Sequence, residues 1–303
     1  MTLITAMTAE SARSFFLKHK SYCSFALPAY FDFAPLLLAV KNALEQKQNG
    51  INDIGYKKAC DFDNVNYILQ TNKDGHYCWR PFELIHPAIY VHLVHKITED
   101  ESWQLLLERF GEFQSNTKIV CASLPRESEE DGVSDKAKAV SGWWRDVEQE
   151  SINKSLQFKY LFSTDIANFY PSIYTHSIPW AIYTKEDAKA ARGAGRNLGD
   201  QIDYALRQMR WGQTNGIPQG SFIAEIVLGY ADELLGQKLE SQNINDYHII
   251  RYRDDYRIFT NSKEDAEAIA RHLTVILQGL GLQLNASKTS LTEDLVLGSM
   301  KPD

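Results

Sequence analysis

The second half of the chain alternates short β-prone runs with long helical periodicities. Residues 158–164 form an apolar, β-prone run that ends at Asp165. Residues 247–260 hold two more such runs on either side of Asp254 and Asp255, the pattern of a hairpin. Another strand is expected at about 281–285. Helices are expected from Ser177, where Pro179 stands at an early helical position, over 201–211, from 221 to about 240, and over 263–279. In the 221–240 segment Ile223, Ile226, Val227, Tyr230 and Leu234 recur on one face. Residues 185–200 read as loop, and 212–221 are too rich in Gly, Asn and Pro for a regular element.

The first half is helical in pattern. A short helix is expected within 1–20. Phe33, Leu36, Leu37, Val40 and Leu44 follow helical spacing, with Asp32 as a candidate cap. Phe82, Leu84, Ile85, Ile89, Leu93, Val94 and Ile97 predict an apolar helical face over about 82–97, and 99–110 predict another. Residues 123–139, with Glu127, Glu129, Glu130, Asp131 and Asp135, read as an exposed loop, and 140–157 as a helix with Trp143 and Trp144 near its start. From 158 onward the order is strand, helix, helix, strand, strand, helix, strand. That order predicts an α+β fold, a sheet with helices on one face.

Composition narrows the function classes. The 303 residues are 44% hydrophobic and 12% aromatic, enough for a sizeable core. No apolar run is long enough to span a bilayer, and the start lacks a basic-then-apolar leader, so a soluble, cytoplasmic protein with no membrane partner is expected. Cys23, Cys60, Cys78 and Cys121 have neither zinc-site nor disulfide-scaffold spacing. The net charge of −7 disfavours a general nucleic-acid binder, so any polyanion site must be a local basic stripe.

Asp254 and Asp255 are the centre of the chemical reading. Two carboxylates about 4 Å apart repel by roughly 4 kcal/mol at an effective dielectric near 20. The plain alternative is an ordinary Asp-Asp turn on a solvated loop, since Asp is a common turn residue; a partly buried turn tolerates the repulsion when cations bind. Asp165, at the end of an apolar strand, converges with Asp254 if its strand lies beside the hairpin. Mg²⁺ takes oxygen ligands, one or two carboxylates plus substrate phosphates. His92 and His95, three apart on one helix, lack an evident third ligand. Packing under the long loop accounts for Trp143 and Trp144 better than base stacking does.

Four motifs stand in order. Asp165-Ile-Ala-Asn-Phe-Tyr170 resembles the first palm motif of reverse transcriptases, and Gly216-Ile-Pro-Gln-Gly-Ser221 the second. Tyr252-Arg-Asp-Asp255 resembles the Tyr-x-Asp-Asp third motif, and Leu282-Gln-Leu-Asn-Ala-Ser-Lys-Thr289 the fourth. The segments 80–87 and 170–180 are similar to those of prokaryotic, defence-associated and abortive-infection reverse transcriptases. The palm resemblance covers about 158–290; the less specific upstream resemblance covers about 15–157.

This resemblance implies a right-hand polymerase palm, an antiparallel sheet backed by helices, over 158–290. It implies an N-terminal segment and helix-rich fingers over 1–157. Residues 291–303 would begin a thumb that is absent or not included. The implied activity is DNA synthesis from dNTPs by nucleotidyl transfer, RNA-templated and serving antiphage defence. Asp165, Asp254 and Asp255 would hold two Mg²⁺ ions (or Mn²⁺), with the Ile166 carbonyl as a further ligand. Tyr170 would be the steric gate against ribose, and Gln219 and Gly220 would line the nucleotide. Lys288 would assist proton transfer to pyrophosphate or contact its phosphates. Arg80 and Arg126 are candidate triphosphate contacts, since Arg grips phosphate bidentately. Lys185, Lys189, Arg192 and Arg196 are candidate contacts to a nucleic-acid backbone.

The partners implied are a template-primer of RNA or DNA, dNTPs, a dedicated noncoding RNA, and a second copy or another protein supplying the thumb. The chain departs from the family pattern at Arg253, where a small or apolar residue is usual. The segment after Ser221 is also about four residues short against similar sequences, counted along the resemblance. Rival readings are untemplated or protein-primed DNA synthesis, an RNA-making palm polymerase, and an inert nucleic-acid-binding or assembly protein.

Overall fold

A computed structural model describes residues 2–299 apart from 24, 26, 29, 48–50, 52–57, 73–74, 128–134, 192–196 and 219. The chain divides into two compact units, each made of separate stretches of sequence. One comprises Glu108–Tyr174 and Ser221–Asp303, the other Thr2–Leu107 and Thr175–Gly220. The boundary expected at 157/158 lies inside the first unit.

The first unit is built on a five-stranded sheet. Its spatial order is Ile119–Cys121, Tyr247–Tyr252, Asp255–Thr260, Tyr160–Asp165 and Ser290–Thr292. The first pairing is parallel and the other three antiparallel. All six residues of Tyr247–Tyr252 are buried, which requires cover on both faces. Helices therefore stand on both faces of the sheet, not on one as expected. Arg251 and Arg257 point to opposite faces, because Ile250 and not Arg251 is the register partner of Arg257. Arg257 donates to Ser151 Oγ (2.8 Å) on the helix Asp135–Ser155. Arg251 donates to Asp232 (2.6 Å) on the helix Ser221–Ser241. A cluster of Ala122, Val147, Leu161, Ile250, Tyr252, Phe259 and Leu295 forms the core on the Arg257 side.

The helix Lys263–Gly279 matches its expected bounds. Ser262 caps it by accepting from Asp265 N–H, and Gly281 ends it with φ +80°. Leu282 N–H reaches Leu277 O (2.9 Å) and Gly281 N–H reaches Gln278 O (3.1 Å), a Schellman ending that turns the chain back toward the sheet. The strand expected at 281–285 is a single bridge, Ile166 to Leu284; the regular strand comes later, at Ser290–Thr292. A three-residue 3₁₀ turn, Ala286–Lys288, intervenes.

The second unit is mainly helical and carries a hairpin, Tyr67–Asn72 with Trp79–Leu84. Its core includes Tyr22, Cys23, Leu37, Leu44, Tyr90, Val91 and Val94. The helix expected at 82–97 is a strand followed by the helix Pro87–Ile97. Pro87 keeps the preceding residues out of helical geometry, and Phe82 and Leu84 alternate as strand residues do. The presumed loop 185–200 contains the helix Lys185–Ala190, capped by Thr184, and the start of Leu198–Gln208. In the segment read as loop at 123–139, helix begins at Asp135. Within the helix Ala34–Glu45, Leu37 and Leu44 are buried while Leu36 is exposed; Asp32 Oδ1 accepts from Ala34 N–H. Among the described residues no helix is long and apolar enough to cross a membrane.

Candidate active site

The site begins with strand register. Tyr160–Asp165 runs antiparallel to Asp255–Thr260, and Asp165 lies directly opposite Asp255. Tyr252 is the partner of Asp255 on its other side. Arg253 and Asp254 therefore form a two-residue hairpin turn, with Arg253 in the left-handed region at φ +52°. A positive φ at this position suits the twist of tight hairpins. Ile166 N–H donates to Asp254 O (3.1 Å), joining the first motif to the third. Three acids from two distant segments are thus brought to one end of the sheet.

The fourth motif is tied to the same place by backbone. Ala167 N–H donates to Gln283 O and Asn285 N–H to Asp165 O, both at 2.8 Å. Thr164 and Thr289 hydroxyls share a 2.8 Å hydrogen bond. These ties deliver Lys288, whose ammonium pairs with Asp165 Oδ2. Asp165 is buried, and its Oδ1 has no hydrogen-bond partner.

Burial dominates the electrostatics. It raises the Asp255 carboxyl to about 6, and repulsion from Asp254 and then Asp165 adds to the rise. Burial also raises Asp254, with Asp165 contributing in the same direction. Lys288 is shifted upward, first by its hydrogen bond to Asp165. Burial and like-charge repulsion both disfavour the ionised form of these acids. Among the described residues no group of three or more His, Cys, Asp or Glu side chains is arranged so that it could hold a metal ion. The donor set nonetheless fits a hard divalent cation. It has oxygen donors, an unpartnered buried carboxylate oxygen on Asp165, and a single ammonium paired with that residue.

Tyr170 lies in the short helix Phe169–Ser172, which follows Asn168 at φ +47°. Burial pushes its phenol up to about 12; the charged groups acting on it are Arg253, Glu225 and Asp254. The third motif's turn thus contributes to the electrostatic surroundings of the first motif's tyrosine.

A buried polar cluster that sequence reasoning missed stands behind the turn. Arg251, 1% exposed, donates to Glu225 (2.7 Å) and Asp232 (2.6 Å), both on the helix Ser221–Ser241. Tyr256 Oη donates to Asp232 (3.1 Å), and Ser123 Oγ donates to Glu225 (2.6 Å). Glu225 and Asp232 sit seven residues apart inside an apolar helix, and Arg251 interrupts an apolar strand. Such charges are almost never buried unless paired, and that was the available signal.

The other candidates are less gathered. Arg126 pairs with Asp146 (2.9 Å). Arg80 is an exposed residue of the strand Trp79–Leu84, in the second unit. Lys185 and Lys189 lie on the helix Lys185–Ala190, with Lys185 over the Trp180 ring (4.7 Å). Gly220 is exposed. Gln219, Arg192 and Arg196, and the side chains of Trp143 and Trp144, lie outside the described residues. Burial lowers His92 to about 4 and lowers His95, so both favour the neutral form in a packed helix.

A family model described as "Reverse transcriptase (RNA-dependent DNA polymerase)" matches residues 89–298. The chain belongs to this reverse transcriptase family, and its fold is mixed α+β with a sheet core. No curated protein matches. Solved structures similar to it include apo telomerase from Candida tropicalis, at 14% identity and TM-score 0.43, covering 75% of this chain and 43% of that one. Telomerase from Candida albicans in complex with the TWJ fragment of telomeric RNA is 13% identical at TM-score 0.43, covering 76% and 43%. An RNA polymerase complex from inside a dsRNA virus is 13% identical at TM-score 0.47, covering 97% and 28%. The chain spans less than half the length of these solved structures.

Proposed function

We propose that this chain is an RNA-directed DNA polymerase that joins dNTPs by two-metal nucleotidyl transfer. The observation carrying this reading is the register of Asp165 with Asp255, together with the Ile166–Asp254 hydrogen bond. These bring three carboxylates to one end of the sheet, where the Lys288 ammonium pairs with Asp165. Asp165, Asp254 and Asp255 would hold two Mg²⁺ or Mn²⁺ ions, with the Ile166 carbonyl beside them. When bound, the ions would lower the pKa of the attacking hydroxyl and offset charge on the departing pyrophosphate.

In the reaction a primer 3′-hydroxyl would give its proton to solvent as its oxygen bonds to the α-phosphorus of a dNTP. The bond from that phosphorus to the bridging β-oxygen breaks, and pyrophosphate leaves. Lys288, protonated and next to Asp165, would donate a proton to the pyrophosphate or hold its phosphates. The Tyr170 ring would fill the space a ribose 2′-hydroxyl needs, selecting dNTPs. Gln219 and Gly220 would line the base and sugar, and Arg80 and Arg126 would reach the triphosphate. Arg126 must first leave Asp146 to do so. Lys185, Lys189, Arg192 and Arg196 would follow a template-primer backbone.

The antiphage-defence role rests on the likeness of segments 80–87 and 170–180 to defence-associated enzymes. A dedicated noncoding RNA, and a second copy or another protein that grips the duplex, belong to the same proposal. The test is incorporation of labelled dNTPs by the purified chain on RNA and DNA primer-templates with and without Mg²⁺. Mg²⁺-dependent extension on RNA supports the reading; no incorporation on any template, with or without primer, refutes it.

A further inference from the structure

Arg253 occupies the tightest point of the hairpin that presents Asp254, and it does so with φ +52°. Side-chain-bearing residues enter the left-handed region uncommonly, and Asn, Asp and Gly do so most readily. An arginine there needs outside help to keep its backbone fixed. That help comes from the buried cluster on the helix side of the sheet. Arg253 N–H donates to Ser123 Oγ at 2.8 Å. Arg253 O accepts from Arg251 Nη1 at 3.2 Å. Both backbone polar groups of the turn residue are thereby fastened to one polar assembly.

That assembly is held in turn from several elements. Ser123 follows the strand Ile119–Cys121 and gives its own proton to Glu225 Oε1 (2.6 Å). This leaves its oxygen lone pairs for the Arg253 amide. Arg251 is fixed by Glu225 and Asp232, and Asp232 by Tyr256. Cys121 Sγ also donates to Glu225 (3.2 Å). Ala122 N–H donates to Arg251 O (2.8 Å), locking the Ser123 segment to the hairpin strand.

We propose that Ser123 and Arg251, oriented by Glu225 and Asp232, are positioning residues that clamp the Arg253 backbone and so set where Asp254 stands. None of the four is assigned contact with nucleotide or metal. Their effect passes through one peptide turn, and it rests on the reading of Asp254 as a metal-holding acid. A one-ångström displacement of a reacting group is enough to slow catalysis severely. Losing the clamp should therefore slow the chemical step and leave nucleotide binding nearly intact.

The test uses the full chain and four proteins: wild type, Ser123→Ala, Arg253→Asn, and the double variant. Asn tolerates the left-handed region, so it reduces the turn's need for the clamp. Amide hydrogen exchange over residues 252–256 in metal-free protein reads the clamp without any assay of activity. Ser123→Ala should speed that exchange about ten-fold, the loss of one hydrogen bond's net worth. It should lower kcat by a similar factor while KM for dNTP stays close to wild type. The double variant should exchange more slowly than Ser123→Ala and recover most of its kcat. Unchanged exchange in Ser123→Ala overturns the proposal, as does a double variant no better than Ser123→Ala in either readout. If exchange behaves as expected but wild type incorporates no dNTP, the clamp stands and the polymerase reading fails.

Discussion

Asp165 and Asp255 are partners across two antiparallel strands, so their side chains leave the sheet on the same face. Like charges directly opposite each other weaken a sheet. Asp165 is also buried and Asp255 partly so, and Asp254 adjoins them in the turn. A fold selected for stability alone would not retain this arrangement. It persists here with the Lys288 ammonium paired to Asp165.

The repulsion has a pH signature in metal-free protein. The Asp255 carboxyl is raised to about 6 from an ordinary 3.8 in the folded state. The folded form thus binds this proton more tightly than the unfolded chain does. Its contribution to stability is lost as pH rises from about 4 through about 6, and the loss is complete above that. Asp255→Asn should stabilise the protein in EDTA at pH 7.5 by about 1–2 kcal/mol, after discounting for partial exposure. The gain should vanish near pH 4. Thermal melts at the two pH values check this; an equal gain at both would contradict it.

Burial pushes the Tyr170 phenol up to about 12, so it stays neutral at working pH. If its ring excludes the ribose hydroxyl, Tyr170→Ala should raise the ratio of NTP to dNTP incorporation about ten- to a hundred-fold. Competition between paired nucleotides in single-turnover extension measures the ratio. An unchanged ratio would return Tyr170 to core packing.

Lys288 is well exposed apart from its ammonium's pairing with Asp165. Its proton is held more firmly than that of a free lysine, which suits a late donor to pyrophosphate. Lys288→Met should lower kcat roughly a hundred-fold, at the weak end of general acid effects. KM should change less. Pre-steady-state extension separates the two, and an equal loss in both would make Lys288 a binding residue.

Gly281 closes the helix Lys263–Gly279 at φ +80° and starts the segment that leads to Lys288. An added Cβ would also meet Tyr174 Cβ at 3.3 Å. Gly281→Ala should cost about 1–2 kcal/mol in urea unfolding, from left-handed strain. A neutral result would mean the Schellman ending is not needed to aim the fourth motif.

Much of the sheet-bearing unit was legible because its elements are long or strongly punctuated. The helix Lys263–Gly279 and the hairpin around Asp254 carry caps, alternation and a turn in the sequence itself. The strands Ile119–Cys121, Tyr67–Asn72 and Ser290–Thr292 were missed. Two of these three have only three residues, too few for a period to register, and all three depend on partners that local sequence does not reveal. Phe82 and Leu84 were absorbed into a helical reading because the apolar run continues through Ile85 and Ile89 across a proline. The three acids were legible as residue types in ordered motifs. Their support by Ser123 was not, because a serine after a short strand has no signature until Glu225 and Arg253 are seen on either side of it.

The most direct test of the account is dNTP incorporation by Asp254→Ala combined with Asp255→Ala, beside wild type, at saturating Mg²⁺. The variant should retain its fold and melt no lower than wild type in EDTA, since it loses two repelling charges. Its incorporation should fall by at least about four orders of magnitude, as expected when the groups that hold the catalytic charge are removed. A folded double variant that still extends a primer at the wild-type rate would contradict the assignment of this site.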